Sequence, residues 1–90
     1  LLECAQYGEG WPYIHMTPEQ SHRAAIDIGT KILFPVHWAK FALALHPWDE
    51  PMKRLLAANK SNEVEITTPM IGEVVVLDKE LPKSKWWEKL

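Results

Sequence analysis

Two stretches of the chain have the hydrophobic and polar pattern of a helix that packs on a core. Residues 17–20 combine a threonine cap, a proline suited to the first turn and a glutamine three residues after the cap. This start predicts a first helix that ends at Gly29, in the position where glycine commonly follows a helix. Asp49 is predicted to cap a second helix over residues 50–60. The inner faces are predicted to hold Ser21, Ala24, Ala25 and Ile28 in the first helix, and Met52, Leu55, Leu56 and Asn59 in the second.

The remaining apolar runs are short and rich in β-branched residues, which is typical of strands. We expect a strand end at residues 1–5, a buried strand at 31–36, a half-exposed strand at 63–67 with Val64 and Ile66 on one side, and a final strand at 73–77. Residues 6–16 and 38–48 are predicted loops. Strands and helices in this order predict an α/β fold with a mixed sheet and two main helices.

Composition limits the classes of protein that fit. Ninety residues, 47% hydrophobic and 24% charged, suit one ordinary unit. The 10 basic and 12 acidic residues are interspersed, which argues against nucleic acid as a partner. No apolar run approaches the ~20 residues of a transmembrane segment. The single cysteine, Cys4, fits a reducing compartment and favours a cytoplasmic location. Leu1 in place of an initiating methionine reads as a cut through a longer protein.

His37 is the sharpest candidate for chemistry, because it follows the buried strand predicted at residues 31–36. The carboxyl ends of strands are where open α/β sheets build their sites, and imidazole is the commonest metal ligand. A histidine at a strand end can equally donate a hydrogen bond to a backbone carbonyl and have no chemical role. Position alone leaves both interpretations open.

The aromatic loop at residues 6–16 holds further candidates. His15 is a candidate for proton transfer, although loops commonly carry such residues without chemistry. His46 precedes a proline and a helix start, so a structural role in a turn is the alternative to a catalytic one. Candidates for substrate binding are Tyr7, Trp11, Trp38 and His46. The alternative is that these aromatic residues belong to the core and its rim.

The sequence contains no complete catalytic set. It has no His-x-His-x-Asp-His, no His-Glu-x-x-His, no cysteine pair and no glycine-rich phosphate loop. His22, beside Arg23 on the first helix, is predicted to be a solvated surface group, and Cys4 to be a small buried residue. Residues 1–90 alone are therefore expected neither to bind a metal tightly nor to hydrolyse a substrate.

Four segments in register nevertheless resemble a known family. They are residues 6–11 (QYGEGW), 14–19 (IHMTPE), 35–38 (PVHW) and 43–51 (LALHPWDEP). In this order and spacing they are similar to the C-terminal end of metallo-β-lactamase-fold hydrolases related to N-acyl-phosphatidylethanolamine-hydrolysing phospholipase D and L-ascorbate-6-phosphate lactonase. The resemblance covers residues 1–78. Residues 79–90 are a charged tail with a tryptophan pair, expected either to dock as a short helix or to be disordered.

The resemblance implies a fold, a metal and a reaction. The fold is a four-layer αβ/βα sandwich, of which this chain would be the C-terminal part. His37 matches the last metal-binding histidine of the family, and His15 matches a histidine near the active site. The metal would be Zn²⁺, with Mn²⁺ as the alternative, and the substrate a small ester, phosphodiester or lactone. The family's other ligands, including His-x-His-x-Asp-His, would belong upstream of Leu1. The alternative function is a non-catalytic α/β module that self-associates. A homo-oligomer is expected because the rest of the sandwich is missing, which would leave the face with Ile32, Phe34 and Val36 uncovered.

Overall fold

The computed structural model of the chain describes residues 1–40 and 44–90. Residues 41–43, which belong to the predicted loop at 38–48, lie outside this description. The elements in chain order are β1 (Leu2–Glu3), α1 (Pro18–Asp27), β2 (Ile32–Leu33), β3 (Pro35–Val36), α2 (Glu50–Ala58), β4 (Glu65–Ile66) and a 3₁₀ helix (Trp86–Lys89). The described residues therefore form a small α/β unit with two helices and short strands, as predicted.

Helix α1 begins with the capping box that the sequence predicts. Thr17 Oγ1 accepts a hydrogen bond from the Gln20 backbone N–H at 3.2 Å, and Gln20 Oε1 accepts one from the Thr17 N–H at 2.8 Å. Gly29, just beyond the helix, has φ +71°, a conformation that glycine adopts without strain. Ala25 is fully buried, whereas Ile28 is 71% exposed. The predicted inner face is therefore correct for Ala25 and wrong for Ile28, which lies beyond the last helical turn.

Helix α2 packs against α1 and presents the predicted stripe to the core. Met52 and Leu55 of α2 are buried and Leu56 is partly buried, and Asn59, which caps the end of the helix, is buried as well. The predicted cap is wrong in its chemistry, because the Asp49 side chain makes no capping hydrogen bond. Asp49 instead pairs with Lys53 Nζ at 2.7 Å, and this contact holds the pKa of the Asp49 carboxyl below its usual value.

The strand predicted at residues 31–36 is divided into two. β2 pairs in parallel with β4, and β3 pairs in parallel with β1. The division falls at Phe34, before Pro35, whose backbone has no N–H to donate to a continuing ladder. The described residues thus form two parallel pairs in place of the predicted mixed sheet.

The final strand predicted at residues 73–77 is absent from the described part of the chain. Val74 is 79% exposed and Leu77 is 69% exposed, and this segment pairs with no described strand. A run of valines favours the extended conformation, but a strand also needs a neighbouring strand to supply its hydrogen bonds. Residues 73–77 have the valines that favour an extended conformation, but no described strand lies beside them, so the predicted strand is wrong.

The C-terminal residues complete the core. The 3₁₀ helix buries Trp86 and Trp87, whose rings lie 5.5 Å and 5.4 Å from the Trp38 ring between centroids. Of the two alternatives for the charged tail, the structure thus shows docking. The fully buried Cys4 belongs to the same core, as predicted. None of the described helices is long and apolar enough to cross a membrane.

The prediction for His22 is wrong. This side chain is only 7% exposed, and its Nε2 lies 2.9 Å from Asn59 Oδ1 and 3.1 Å from Glu63 Oε2. Both neighbours are acceptors, so Nε2 carries the proton. The partners follow α1 by more than thirty positions, and no local pattern around His22 indicates them.

Candidate functional site

His15 and His37 come together at the end of β3. Their rings stack with centroids 5.4 Å apart and an angle of 27° between their planes. His37 is exposed directly after β3, and His15 is partly buried in the loop before α1. The two histidines that the resemblance singled out are therefore neighbours in the structure.

The backbone after β3 has an uncommon conformation. His37 has φ +66° and Ala39 has φ +68°, in the left-handed region that residues with a side chain rarely adopt. Such a conformation costs on the order of 1–3 kcal/mol, and it clusters at functional sites. The strain at His37 therefore adds an independent reason to place a site here.

Glu3 is a site residue that the sequence analysis missed. Its Oε1 accepts a hydrogen bond from the Met16 backbone N–H, and its Oε2 lies 3.7 Å from His15 Nδ1. This Oε2 is buried and has no hydrogen-bond partner in the described part of the chain. A carboxylate on this side of His15 favours a proton on Nδ1 and leaves the lone pair on Nε2.

Strand pairing explains how Glu3 reaches the histidines. In the parallel pair β1–β3, Glu3 lies opposite Val36, one residue before His37. The Ser21 hydroxyl of α1 donates a hydrogen bond to the Glu3 carbonyl and fixes the strand against the helix. Only the register of two distant segments brings this carboxylate to the site, so no signal near Glu3 in the sequence could have identified it.

The described residues do not form a complete metal site. Among residues 1–40 and 44–90, no group of three or more histidine, cysteine, aspartate or glutamate side chains is arranged to hold a metal ion. A catalytic zinc uses about three protein ligands and keeps one open position. His37 and His15 therefore need ligands from elsewhere if they are to hold one.

Three of the four predicted substrate-binding residues line one cavity. Tyr7, Trp11 and His46 border a space of about 670 Å³, in which the Tyr7 and His46 rings stack at 4.1 Å. Trp38 does not border this cavity. It lies in a shallow groove beside His37 and packs against the tryptophans of the 3₁₀ helix.

Trp11 connects the cavity to the histidine pair. Its ring meets the His15 ring edge to face, with centroids 5.9 Å apart. A second depression, of about 360 Å³, is bordered by His15 and shares Tyr7 and Glu9 with the cavity. The loop that begins at Tyr7 thus separates two adjoining hollows, one beside His15 and one beside His46.

Tyr7 is fixed by a network that the sequence analysis also missed. Its hydroxyl donates a hydrogen bond to the Glu50 carboxylate, and the Arg54 guanidinium lies 4.6 Å over its ring. Burial, followed by the hydrogen bond to Glu50, raises the pKa of Tyr7 to about 12. Arg54 is held in turn by Glu19 through hydrogen bonds of 2.8 Å and 2.7 Å. The Tyr7 hydroxyl therefore stays protonated at neutral pH, and the Tyr7 side chain forms part of the cavity wall.

Comparison with known proteins identifies similar proteins, but the matches do not indicate an activity for this chain. No family model matches the chain, and no solved structure matches it. The chain is 42% identical over 90 residues to an uncharacterized protein of Mycobacterium bovis, Mb0930, and to one of Mycobacterium tuberculosis, Rv0906. These matches cover 97% of this chain and 24% of each relative, so the chain spans about a quarter of their length. It is also 38% identical over 37 residues to the outer membrane protein RomA of Klebsiella pneumoniae, covering 41% of this chain and 28% of that protein.

Proposed function

We propose that residues 1–90 are the C-terminal part of a metal-dependent hydrolase with the metallo-β-lactamase fold, and that His37 is one of its metal ligands. The observation that carries this proposal is the stacking of His37 on His15 at the end of β3, with centroids 5.4 Å apart. The left-handed backbone at His37 and the buried Oε2 of Glu3 beside His15 support it.

Each residue of the site has a role in this proposal. Zn²⁺, or alternatively Mn²⁺, would supply a hydroxide nucleophile by lowering the pKa of bound water. His37 binds the ion. Glu3 orients His15, and His15 contacts the substrate or moves a proton at Nε2. Tyr7, Trp11 and His46 border the cavity that receives a small ester, phosphodiester or lactone.

The proposal requires ligands from outside residues 1–90, because the described residues supply no group of three. The mycobacterial relatives leave room for them, since this chain spans only 24% of their length. We infer that an upstream segment with His-x-His-x-Asp-His completes the site. We also propose a cytoplasmic location, with which the buried, unpaired thiol of Cys4 is compatible.

The proposal is tested by hydrolysis in the longer protein that we infer. Suitable probes are p-nitrophenyl acetate, bis(p-nitrophenyl) phosphate and γ-butyrolactone, one for each substrate class. His37→Ala should abolish turnover of whichever probe is accepted, because an open site cannot lose one of few ligands. Glu3→Gln should keep the metal but lower kcat and alter its pH profile, because the Glu3 carboxylate beside His15 orients that ring. Full turnover by His37→Ala would contradict the proposal.

Self-association is a second candidate function, and an exposed apolar segment favours it. Met70, Ile71, Val74 and Leu77 are each more than half exposed. The face expected to drive association, with Ile32, Phe34 and Val36, is half-buried, so the larger apolar surface lies in residues 70–77. We propose that this segment forms the contact in a homodimer, since an exposed apolar segment with strand propensity and no neighbouring strand is a template for pairing.

A further inference from the structure

One side chain of α2, that of Arg54, contacts residues at both ends of the aromatic loop at residues 6–16. Its Cζ lies 4.6 Å from the centroid of the Tyr7 ring, near the start of the loop. Its Nε and Nη2 donate hydrogen bonds of 2.8 Å and 2.7 Å to the two carboxylate oxygens of Glu19, three residues beyond the loop. A guanidinium suits both contacts, because it is planar, binds a carboxylate through two N–H groups and stacks on an aromatic face.

Glu50, on the same helix, completes the arrangement. Its Oε2 accepts a hydrogen bond from the Tyr7 hydroxyl and lies 3.7 Å from Arg54 Nη1. Tyr7 is thus held through its ring by Arg54 and through its hydroxyl by Glu50. The hydrogen bonds from Arg54 lower the pKa of the Glu19 carboxyl, so this pair is charged at neutral pH.

The loop between these contacts makes few backbone contacts with the rest of the fold. In the described part of the chain, the backbone hydrogen bonds of residues 8–15 stay within that segment, as from the His15 N–H to the Trp11 carbonyl at 3.3 Å. The chain enters the loop at Gln6 with φ +61°, a conformation that residues with a side chain rarely adopt. The position of the His15 ring therefore depends on Glu3 beside it and on the contacts that hold the two ends of the loop.

The pair of Arg54 and Glu19 is partly exposed. Their side chains are 36% and 49% exposed, and ion pairs at such exposure add little to global stability. The core side of α2, with Met52 and Leu55, is fully buried and separate from these contacts. Loss of the Arg54 contacts should therefore free the loop and leave the helix packed.

We propose that Arg54 is a positioning residue that holds Tyr7 and Glu19 and thereby keeps the ring of His15 stacked on that of His37. It acts through the loop and not on the reacting atoms. Its contribution to turnover rests on the proposed function, in which His15 contacts the substrate or moves a proton. Its effect on the loop is a property of the 90-residue chain.

Amide hydrogen exchange in the 90-residue chain measures this effect. In Arg54→Lys, which keeps the charge but cannot bind both carboxylate oxygens in the same way, the Met16 N–H that donates to Glu3 should exchange at least about 5-fold faster. The Leu55 N–H, in the core of α2, should exchange as in the wild type, which separates loop opening from global unfolding. Lys53→Ala removes the neighbouring cation of α2 and is the matched control. Exchange at Met16 no faster in Arg54→Lys than in this control would overturn the proposal.

The contact between the two histidine rings gives a second readout. The nuclear Overhauser effect between the His15 and His37 rings, whose centroids lie 5.4 Å apart, should be present in the wild type and weaker in Arg54→Lys. Glu19→Gln removes the charge of the carboxylate that Arg54 holds, and it should weaken the same signal. A signal of wild-type strength in both variants would refute the role of this pair in placing His15.

A double-mutant cycle in the longer protein distinguishes positioning from a merely structural role. Arg54→Lys should lower kcat at least about 5-fold while the free energy of unfolding stays near that of the wild type. In a His15→Ala background the same substitution should cause no further loss of kcat, because Arg54 acts through His15. The same loss in both backgrounds would contradict the positioning role.

Failure of this proposal and failure of the hydrolase proposal are distinguishable. Amide exchange and the ring contact need neither metal nor substrate, so they decide whether Arg54 fixes the loop even in a protein without His37-dependent hydrolysis. Hydrolysis that requires His37 but is unchanged in Arg54→Lys would leave the hydrolase and refute the positioning residue.

Discussion

Asn59, just after α2, joins three parts of the fold, and its replacement by alanine should be strongly destabilising. Its Oδ1 accepts hydrogen bonds from His22 Nε2 at 2.9 Å and from the Val64 N–H at 3.2 Å, and its Nδ2 donates to the Val64 carbonyl at 2.7 Å. Asn59→Ala leaves both backbone groups of Val64 buried and unpaired, at about 1–3 kcal/mol each. His22 keeps Glu63 at 3.1 Å, so we count only the two backbone groups. The expected loss is about 2–6 kcal/mol, a large part of the ~5–15 kcal/mol of a small domain.

Urea denaturation followed by tryptophan fluorescence measures this loss, because Trp86 and Trp87 are buried in the native core. Asn62→Gly is the matched control. Asn62 is exposed and has φ +53°, which glycine tolerates, so its replacement should change the free energy of unfolding by less than about 0.5 kcal/mol. A loss for Asn59→Ala no larger than that of the control would refute the view that this side chain holds α1, α2 and β4 together.

Three further outcomes are expected. Burial, with a smaller contribution from Glu3, raises the pKa of the Cys4 thiol from 9.0 to about 12. Iodoacetamide at pH 9 should therefore label the native chain far more slowly than the unfolded one, and equal labelling rates would contradict this. For the same reason the stability contributed by the neutral thiol is complete below pH 9 and is lost as the pH rises towards 12, and Cys4→Ala should flatten that decline in urea titrations. In sedimentation experiments, Val74→Lys should convert the dimer to a monomer, whereas Lys79→Glu, a charge change outside the apolar segment, should leave the dimer intact. A wild-type chain that stays monomeric at high micromolar concentration would exclude the dimer.

The helices could be predicted because their signals are local. The capping box of Thr17 and Gln20 and the glycine at position 29 act within a few residues of the helix ends, and the structure shows each of them in the expected role. The stripe of α2 follows from helical periodicity in the same way. The Asp49 cap was wrong because the backbone of Asp49 has the helical angles φ −95° and ψ −7°, whereas a capping residue usually lies in the extended region.

The strands could not be predicted as well, because pairing depends on distant residues. The division at Phe34 follows from two different partners, β4 for β2 and β1 for β3, and the segment at 73–77 has strand propensity without a neighbouring strand. The burial of His22 likewise depends on Asn59, which is remote in sequence.

The candidate site shows the same division between local and distant information. His15 and His37 were identified from short motifs, but their contact required the loop before α1 to lie against the end of β3. Glu3 reaches His15 only through the register of β1 on β3, and no feature of its own segment marks it. The cavity of Tyr7 and His46 depends on a stacking contact between segments far apart in the chain.

The metal content of the longer protein tests the central claim most directly. Elemental analysis after purification in the presence of Zn²⁺ should show bound metal in the wild type and in the control variant His46→Phe. His46 borders the cavity and is not proposed as a metal ligand. His37→Ala should lose metal, because removing a ligand from an open site weakens binding and disturbs its geometry. The same metal stoichiometry in His37→Ala as in the wild type would contradict the assignment of His37 as a ligand.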